Sequence, residues 1–123
     1  MNILAIDFGT KHLGLAWAGS GVDVVLPYGR IAYTSWKKEL SQLIVGERIT
    51  KVVVGIPYTT EGEEALNTKR VREFVRELEE CSKISIDTID ERFTTKEAQR
   101  MEGDATLDEK SAMLILTQYL KKK

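Results

Sequence analysis

The opening segment MNILAIDFGTKHLGLAWA sets the tightest constraint on the fold. Residues 1–6 are a short apolar run of the kind that sits in the middle of a sheet. Residues 13–18 (LGLAWA) are a second run, and Gly9-Thr10-Lys11-His12 between them is too short for anything but a hairpin loop. An antiparallel pair is thus specified first, with Asp7 where its leading strand enters the loop. A lone carboxylate at the end of a buried strand is costly to desolvate. Beside a turn whose glycines let a phosphate approach the backbone, it suits a metal-bound phosphate. The plainer account is that Asp7 caps the turn, as Asp often does.

Residues 22–33 (VDVVLPYGRIAY) are β-rich but broken by Pro27 and Gly29, which predicts a third strand with a bulge or turn inside it, at a sheet edge. Ser35 is placed to N-cap a helix over 36–46, with Leu40, Leu43 and Ile44 as its buried stripe. Residues 51–56 (KVVVGI) make a short apolar strand closed by Pro57. Loop-like residues 58–64 lead into a long helix ending near Glu80, in which Val71, Phe74, Val75 and Leu78 recur at helical spacing. Residues 84–89 form another strand, ending in Asp90-Glu91-Arg92. Thr94-Thr95-Lys96-Glu97 and Thr106-Leu107-Asp108-Glu109 both match the Thr-x-x-Glu capping box, so two helices close the chain. The last, from 107 to about 120, is strongly apolar and should pack on the sheet. Hairpin-linked strands followed by alternating helix and strand predict an α/β fold with a mixed sheet, the Asp7 strand central beside the 51–56 strand.

At 123 residues the chain has room for one domain. No apolar run approaches membrane-spanning length and the N-terminus lacks a signal-peptide pattern, so a cytoplasmic protein is expected. Cys81 stands alone, which excludes an internal disulfide framework or a cysteine-cluster metal site. A net charge of −1 argues mildly against a high-affinity nucleic-acid binder, which usually shows a basic face. Cations nevertheless cluster at Lys69, Arg70, Arg72 and Arg76, at Arg92, Lys96 and Arg100, and at the terminal lysines. Such runs are more often solvated faces than grooves.

Asp7, the Asp90-Glu91 pair and Asp108 all fall at strand C-terminal ends or at the start of the last helix. Open α/β sheets bind ligands at the carboxyl ends of their strands. Magnesium takes oxygen ligands, commonly one or two carboxylates with waters and substrate phosphates. Two such ions about 4 Å apart can activate a water and stabilise the leaving oxygen of a phosphodiester. Each acid also has a plainer account. Asp90 and Glu91 suit an exposed strand end paired with Arg92, and the helix dipole alone favours Asp108 in a first turn. Asp108, Ala112 and Ile115 share one helix face with Tyr119, so the acid heads an apolar stripe aimed at the sheet. Glu109 is a capping residue. Asp90 and Glu91 point to opposite faces of a strand, so at most one enters a shared cage.

Four segments carry a family resemblance: IDFGTKHLGLA (6–16), VVVGIP (52–57), DERFTT (90–95) and LDEKSAMLILTQYL (107–120). With the helix at 69–80 they span nearly the whole chain. The chain resembles the YqgF/RuvX family, Holliday-junction-resolvase-like proteins of the RNase H superfamily described as pre-16S rRNA nucleases. The resemblance implies one RNase H-like nuclease domain over residues 1–123. Its five-stranded mixed sheet would have three antiparallel N-terminal strands, then parallel strands, with helices on both faces. It also implies a magnesium or manganese site on Asp7, Glu91 (with Asp90 beside it) and Asp108. Gly9, Thr10 and Lys11 would form a phosphate-facing loop, and Thr94 and Thr95 would open a helix whose free amides hold a phosphate. Lys11 and Arg92 would neutralise phosphate charge; His12 either touches substrate or is simply solvated. Two departures stand out. The 51–56 strand ends in Gly-Ile-Pro, without the acid that related resolvases carry there, and residues 101–106 (MEGDAT) are short and acidic.

The expected activity is therefore metal-dependent endonucleolytic hydrolysis, with structured RNA, the 5′ end of precursor 16S rRNA, favoured over branched DNA. A DNA-junction resolvase works as a symmetric dimer presenting two sites, whereas this chain is expected to be a monomer or weak homodimer. Asp-Phe-Gly-Thr followed by Gly14 also resembles the first phosphate loop of actin-like and sugar kinases. Those proteins bind ATP between two such domains, and this chain has room for one. The remaining alternative is a non-catalytic nucleic-acid-binding or ribosome-assembly module with a vestigial metal site.

Overall fold

The structure is a computed structural model that describes residues 2–9, 11–19, 24–56, 66–90 and 107–121. Strands β1 (Asn2–Asp7) and β2 (His12–Gly19) form the hairpin, with Ile6 opposite Leu15 and Asp7 opposite Gly14. Strand β3 (Leu26–Ala32) pairs antiparallel with β2 and lies at a sheet edge. Leu15 pairs with Gly29 and Ala16 with Pro27, which leaves Tyr28 as the extra residue of a bulge. Gly29 adopts φ +113°, a conformation closed to other residues. Pro27, with no N–H to donate, is tolerated at this edge. The strand is shorter than the apolar run: Val24 and Val25 precede it, and Tyr33–Ser35 turn into a 3-10 helix.

Helix α1 (Trp36–Gly46) starts without the expected Ser35 side-chain cap. The 3-10 turn does part of that work, since the Trp36 N–H already donates to the Tyr33 carbonyl. Ser35 Oγ donates instead to the Glu39 carboxylate. The buried stripe is Trp36, Leu40 and Ile44, with Leu43 only half-buried at its flank. At the other end Arg48 takes a left-handed φ of 54°, and Asn2 Nδ2 donates to the Glu47 carbonyl at 2.6 Å, tying α1 to β1.

Strand β4 (Ile49–Ile56) runs parallel to β1, with Ile6 beside Val54, and begins two residues before the expected start. Helix α2 (Leu66–Ser82) buries Val71, Phe74 and Leu78. It ends beyond Glu80, with Lys83 left-handed at φ 55°. Strand β5 (Ser85–Asp90) is parallel to β4, with Val54 beside Thr88 and Ile56 beside Asp90. Helix α3 (Leu107–Lys121) closes the described chain. The helix expected after Thr94 lies outside the described residues, as does Pro57.

The sheet order β3-β2-β1-β4-β5 puts the Asp7 strand in the middle, beside β4. Alternation along the strands separates two cores. Leu4, Ile6, Leu13, Leu15, Val52 and Val54 face α1 and α2. Ala5, Ala18, Val53 and Ile89 face Ile115, Leu116 and Tyr119 of α3. Helices thus cover both faces. Full burial of each large aliphatic residue contributes about 1.5–3 kcal/mol. Small residues at Ala5, Ala16 and Ala18 leave the second face shallow, so α3 can seat closely. Its far end is pinned where Tyr119 Oη donates to Asp87 Oδ2, which Lys51 Nζ also approaches at 3.3 Å. Burial, and then the bond and charge of Asp87, push the Tyr119 phenol above its ordinary value, against an opposing pull from Lys51.

Candidate active site

Asp7 is the last residue of the central strand and is half-buried. Its face follows from its neighbours. Ile6 and Phe8 both pack into the core beneath α1 and α2, while Ala5 packs against α3. Strand alternation therefore gives Asp7 the α3 face. On that face β2 presents Gly14 directly opposite Asp7. One step beyond the Ile6–Val54 pair, β4 presents Gly55. Both flanking positions are buried glycines. The carboxylate thus stands in a notch bounded on either side by residues without side chains, room that an ion and a phosphate oxygen require. Gly55 was not singled out from the sequence; its signal is the break it makes in an otherwise β-branched run.

Gly9 has a reason of its own. A Cβ there would lie 2.4 Å from the His12 carbonyl oxygen, so the loop closes only around a residue without a side chain. This explains the glycine without a ligand and leaves phosphate binding to other tests. Lys11 and His12 are both exposed, and the Lys11 carbonyl accepts the Tyr33 N–H at 2.9 Å, fastening the loop to the β3–α1 connection.

The other expected acids are described less fully. Asp90 ends β5 in register with Ile56, and Asp108 is the second residue of α3; for both, the side chain lies outside the described residues. Thr10, Glu91, Arg92, Thr94 and Thr95 also lie outside them. Among the described residues no group of three His, Cys, Asp or Glu could hold a metal ion. Between Asp7 and the end of β5 runs β4, a separation of two strand spacings, or about 10 Å. Its last described residue is the buried Ile56, which belongs to the α1/α2 core.

Helix α3 is oriented toward this edge. Tyr119, near its C-terminus, bonds Asp87, which lies in the first half of β5. Ile115 and Leu116 pack with Ile89 further along the same strand. The helix therefore runs antiparallel to β1, β4 and β5. From Tyr119 back to its start is roughly 18 Å at 1.5 Å per residue, enough to carry its N-terminus to their carboxyl edge.

A five-stranded mixed sheet in this order, flanked by helices on both faces, is an RNase H-like fold. It is similar to Thermus thermophilus RuvC in complex with Holliday junction substrate, with TM-score 0.68 and 15% identity, covering 98% of this chain and 93% of that one. The fowlpox virus Holliday junction resolvase superposes with TM-score 0.57 at 10% identity over 100% of both chains. Residues 1–122 match the RuvX family, Holliday junction resolvase, and the chain belongs to that family. A relative from Maridesulfovibrio salexigens, named "Putative pre-16S rRNA nuclease", is 32% identical over 98% of each chain. One of the same name from Dictyoglomus thermophilum is 31% identical over 98% of this chain and 95% of its own. No described helix is long and apolar enough to cross a membrane.

Proposed function

We propose that this chain is a metal-dependent endonuclease that hydrolyses phosphodiester bonds of nucleic acid. Asp7, Glu91 and Asp108 would hold Mg2+ or Mn2+, with Asp90 beside them. The observation that carries the reading is the half-buried Asp7 carboxylate in its glycine-flanked notch at the carboxyl edge of the sheet. Such a carboxylate, flanked by glycines, fits the oxygen donor set of a hard divalent cation. The antiparallel course of α3 supports Asp108 as a partner. Within the described part of β5 the odd-numbered Asp87 and Ile89 meet α3, and on that alternation the proposal puts Glu91 ahead of Asp90. A bound cation would activate a water and stabilise charge on the leaving oxygen. Lys11 and Arg92 would neutralise the substrate phosphate, and the backbone at Gly9, Thr10, Thr94 and Thr95 would hold it.

The names of the relatives favour precursor 16S rRNA as the substrate, and the proposal puts the cleavage at its 5′ end and in the cytoplasm. The family description favours a four-way DNA junction as the second reading. An ATP-binding role fits poorly, because the relatives are matched over 95–98% of their own length and so also have room for one such domain. The test is cleavage of precursor 16S rRNA and of a four-way DNA junction with Mg2+ or Mn2+, by wild type and by Asp7→Asn. The variant is expected to fold and to cleave neither. Wild-type activity in Asp7→Asn refutes the assignment, and a folded wild type that cleaves nothing favours a non-catalytic binding module.

A further inference from the structure

Around the sheet edge from Asp7, on the opposite face, lies a cavity of about 390 Å3. Its aromatic residues come from separate elements: Phe8 follows β1, Tyr33 follows β3, Trp36 opens α1 and Phe74 lies in α2. Trp36 and Phe74 are buried and form the floor, with ring centroids 4.7 Å apart. Phe8 is half-buried, and Tyr33 is 41% exposed. The Phe8 and Tyr33 rings meet edge to face at 5.8 Å and 85°, and Phe8 also packs on Phe74 at 4.9 Å, so the accessible ring surface is chiefly that of Tyr33. At the rim stand Arg70 and Glu73. Glu77 also borders the cavity but is engaged by Lys37 Nζ at 3.4 Å. A neighbouring hollow of about 400 Å3 shares Tyr33 and Trp36, and carries Lys37, Lys38 and the hydroxyls of Thr34 and Ser35.

We propose that this cavity takes an unpaired guanine of the nucleic-acid strand, stacked against Tyr33 and Phe8, with Lys37 and Lys38 flanking the adjoining phosphates. The inference rests on the nuclease reading for its choice of polymer and extends it to substrate class: a strand with a splayed-out base close to the scissile bond. Open aromatic surface is what single-stranded nucleic acid stacks on. Arg70 at the rim of the cavity, with Lys38 and the Glu77-paired Lys37 in the adjoining hollow, supplies cations for the anionic backbone on either side of a neutral base. The carboxylate at the rim selects among bases. Guanine alone offers two adjacent N–H donors on its Watson–Crick edge, which a carboxylate accepts as a pair. Uracil offers one N–H beside two carbonyls, which a carboxylate repels. Phe8 adjoins Asp7 in sequence and points to the opposite face, so the base would be held as the strand passes around the sheet edge.

The test is fluorescence anisotropy with labelled five-nucleotide strands in EDTA, so that neither cleavage nor metal binding contributes. One strand carries a single central guanine among uridines, one a central adenine, and one is all uridine. Parallel ribo- and deoxyribo-strands tell which source of the base the chain takes. Wild type is expected to bind the guanine strand about tenfold more tightly than all-uridine. Tyr33→Ala, at an exposed position, should weaken that binding by roughly tenfold, the scale of one stacked base. Glu73→Gln should erase the preference for guanine while sparing the other strands. Equal wild-type affinity for all three strands overturns the proposal, as does a guanine preference that survives Glu73→Gln. Asp7→Asn separates the two readings: it should keep the preference while losing cleavage. A preference seen in a chain that never cleaves would sink only the nuclease assignment, and cleavage without a preference would sink only this one.

Discussion

Replacing Gly9 with alanine puts the hairpin loop to a quantitative test. The new Cβ would sit 2.4 Å from the His12 carbonyl oxygen, whereas real Cβ contacts stay beyond 3.0 Å, so backbone must shift. His12 cannot yield freely. It opens β2 in register with Ala32 of β3, and its neighbour Leu13 is fully buried. Overpacking of this kind costs typically 1–3 kcal/mol. The smaller conformational freedom of unfolded alanine offsets roughly 0.5 kcal/mol of that. A net loss of about 1.5 kcal/mol follows, or a fall in Tm of roughly 5 °C for a domain of this size. Gly46 is the matched control: it ends α1 with nothing within 4 Å of its would-be Cβ, so Gly46→Ala should stabilise by about 0.5 kcal/mol. Urea denaturation of both variants measures the contrast. Gly9→Ala as stable as wild type, or two variants shifting the same way, would refute the reasoning. Asp7 lies two residues upstream, so on the nuclease reading Gly9→Ala should also lower cleavage in protein that is still folded at the assay temperature.

Lys83 holds a left-handed φ of 55° just past α2, where glycine is the unstrained choice; Lys83→Gly should stabilise by about 0.5–1 kcal/mol in thermal denaturation. Tyr119→Phe removes the phenol's bond to Asp87, which keeps Lys51 as a partner, so a loss of about 1 kcal/mol is expected at pH 8 by urea denaturation. Because folding raises the phenol above its ordinary value of 10.0, its contribution is whole below that pH and is lost as pH climbs through the folded value. The gap between wild type and Tyr119→Phe should therefore narrow in strong alkali, and a gap that widens there contradicts the assignment. If Asp7 helps hold a divalent cation, 10 mM Mg2+ should raise the wild-type Tm by a few degrees through linkage and leave that of Asp7→Asn unmoved. Equal shifts in both would place the ion elsewhere.

Much of the fold was legible because its signals are local. Pro27 and Gly29 inside one β-rich run could hardly sit in a central strand, and they mark the bulged edge strand β3. Val71, Phe74 and Leu78 repeat at the period of a helix with one buried face, and all three are buried. What escaped depended on neighbours. Ser35 has the chemistry of a cap, but it ends a 3-10 turn in which the Tyr33 carbonyl already accepts the Trp36 N–H. Trp36 itself, the first member of the α1 stripe, lay too close to the helix start to stand out as core.

For the candidate site the sequence offers residue types but not their geometry, and β5 shows why. Its apolar residues, Ile86 and Ile89, are three apart, so no single face of a strand holds both. A strand with one solvated face would betray its inward side by alternation, but β5 sends one isoleucine to each face, and alternation then says nothing about which acid faces where. The structure assigns Ile86 to the α1/α2 core and Ile89 to the α3 core. The proposed ligand set extends the alternation of Asp87 and Ile89 by one step and so takes Glu91 rather than Asp90. Glu91→Gln should therefore abolish cleavage as Asp7→Asn does, whereas Asp90→Asn should retain a substantial fraction of it, measured on the same substrate at saturating Mg2+. The reverse ranking would make the ligand set Asp7, Asp90 and Asp108.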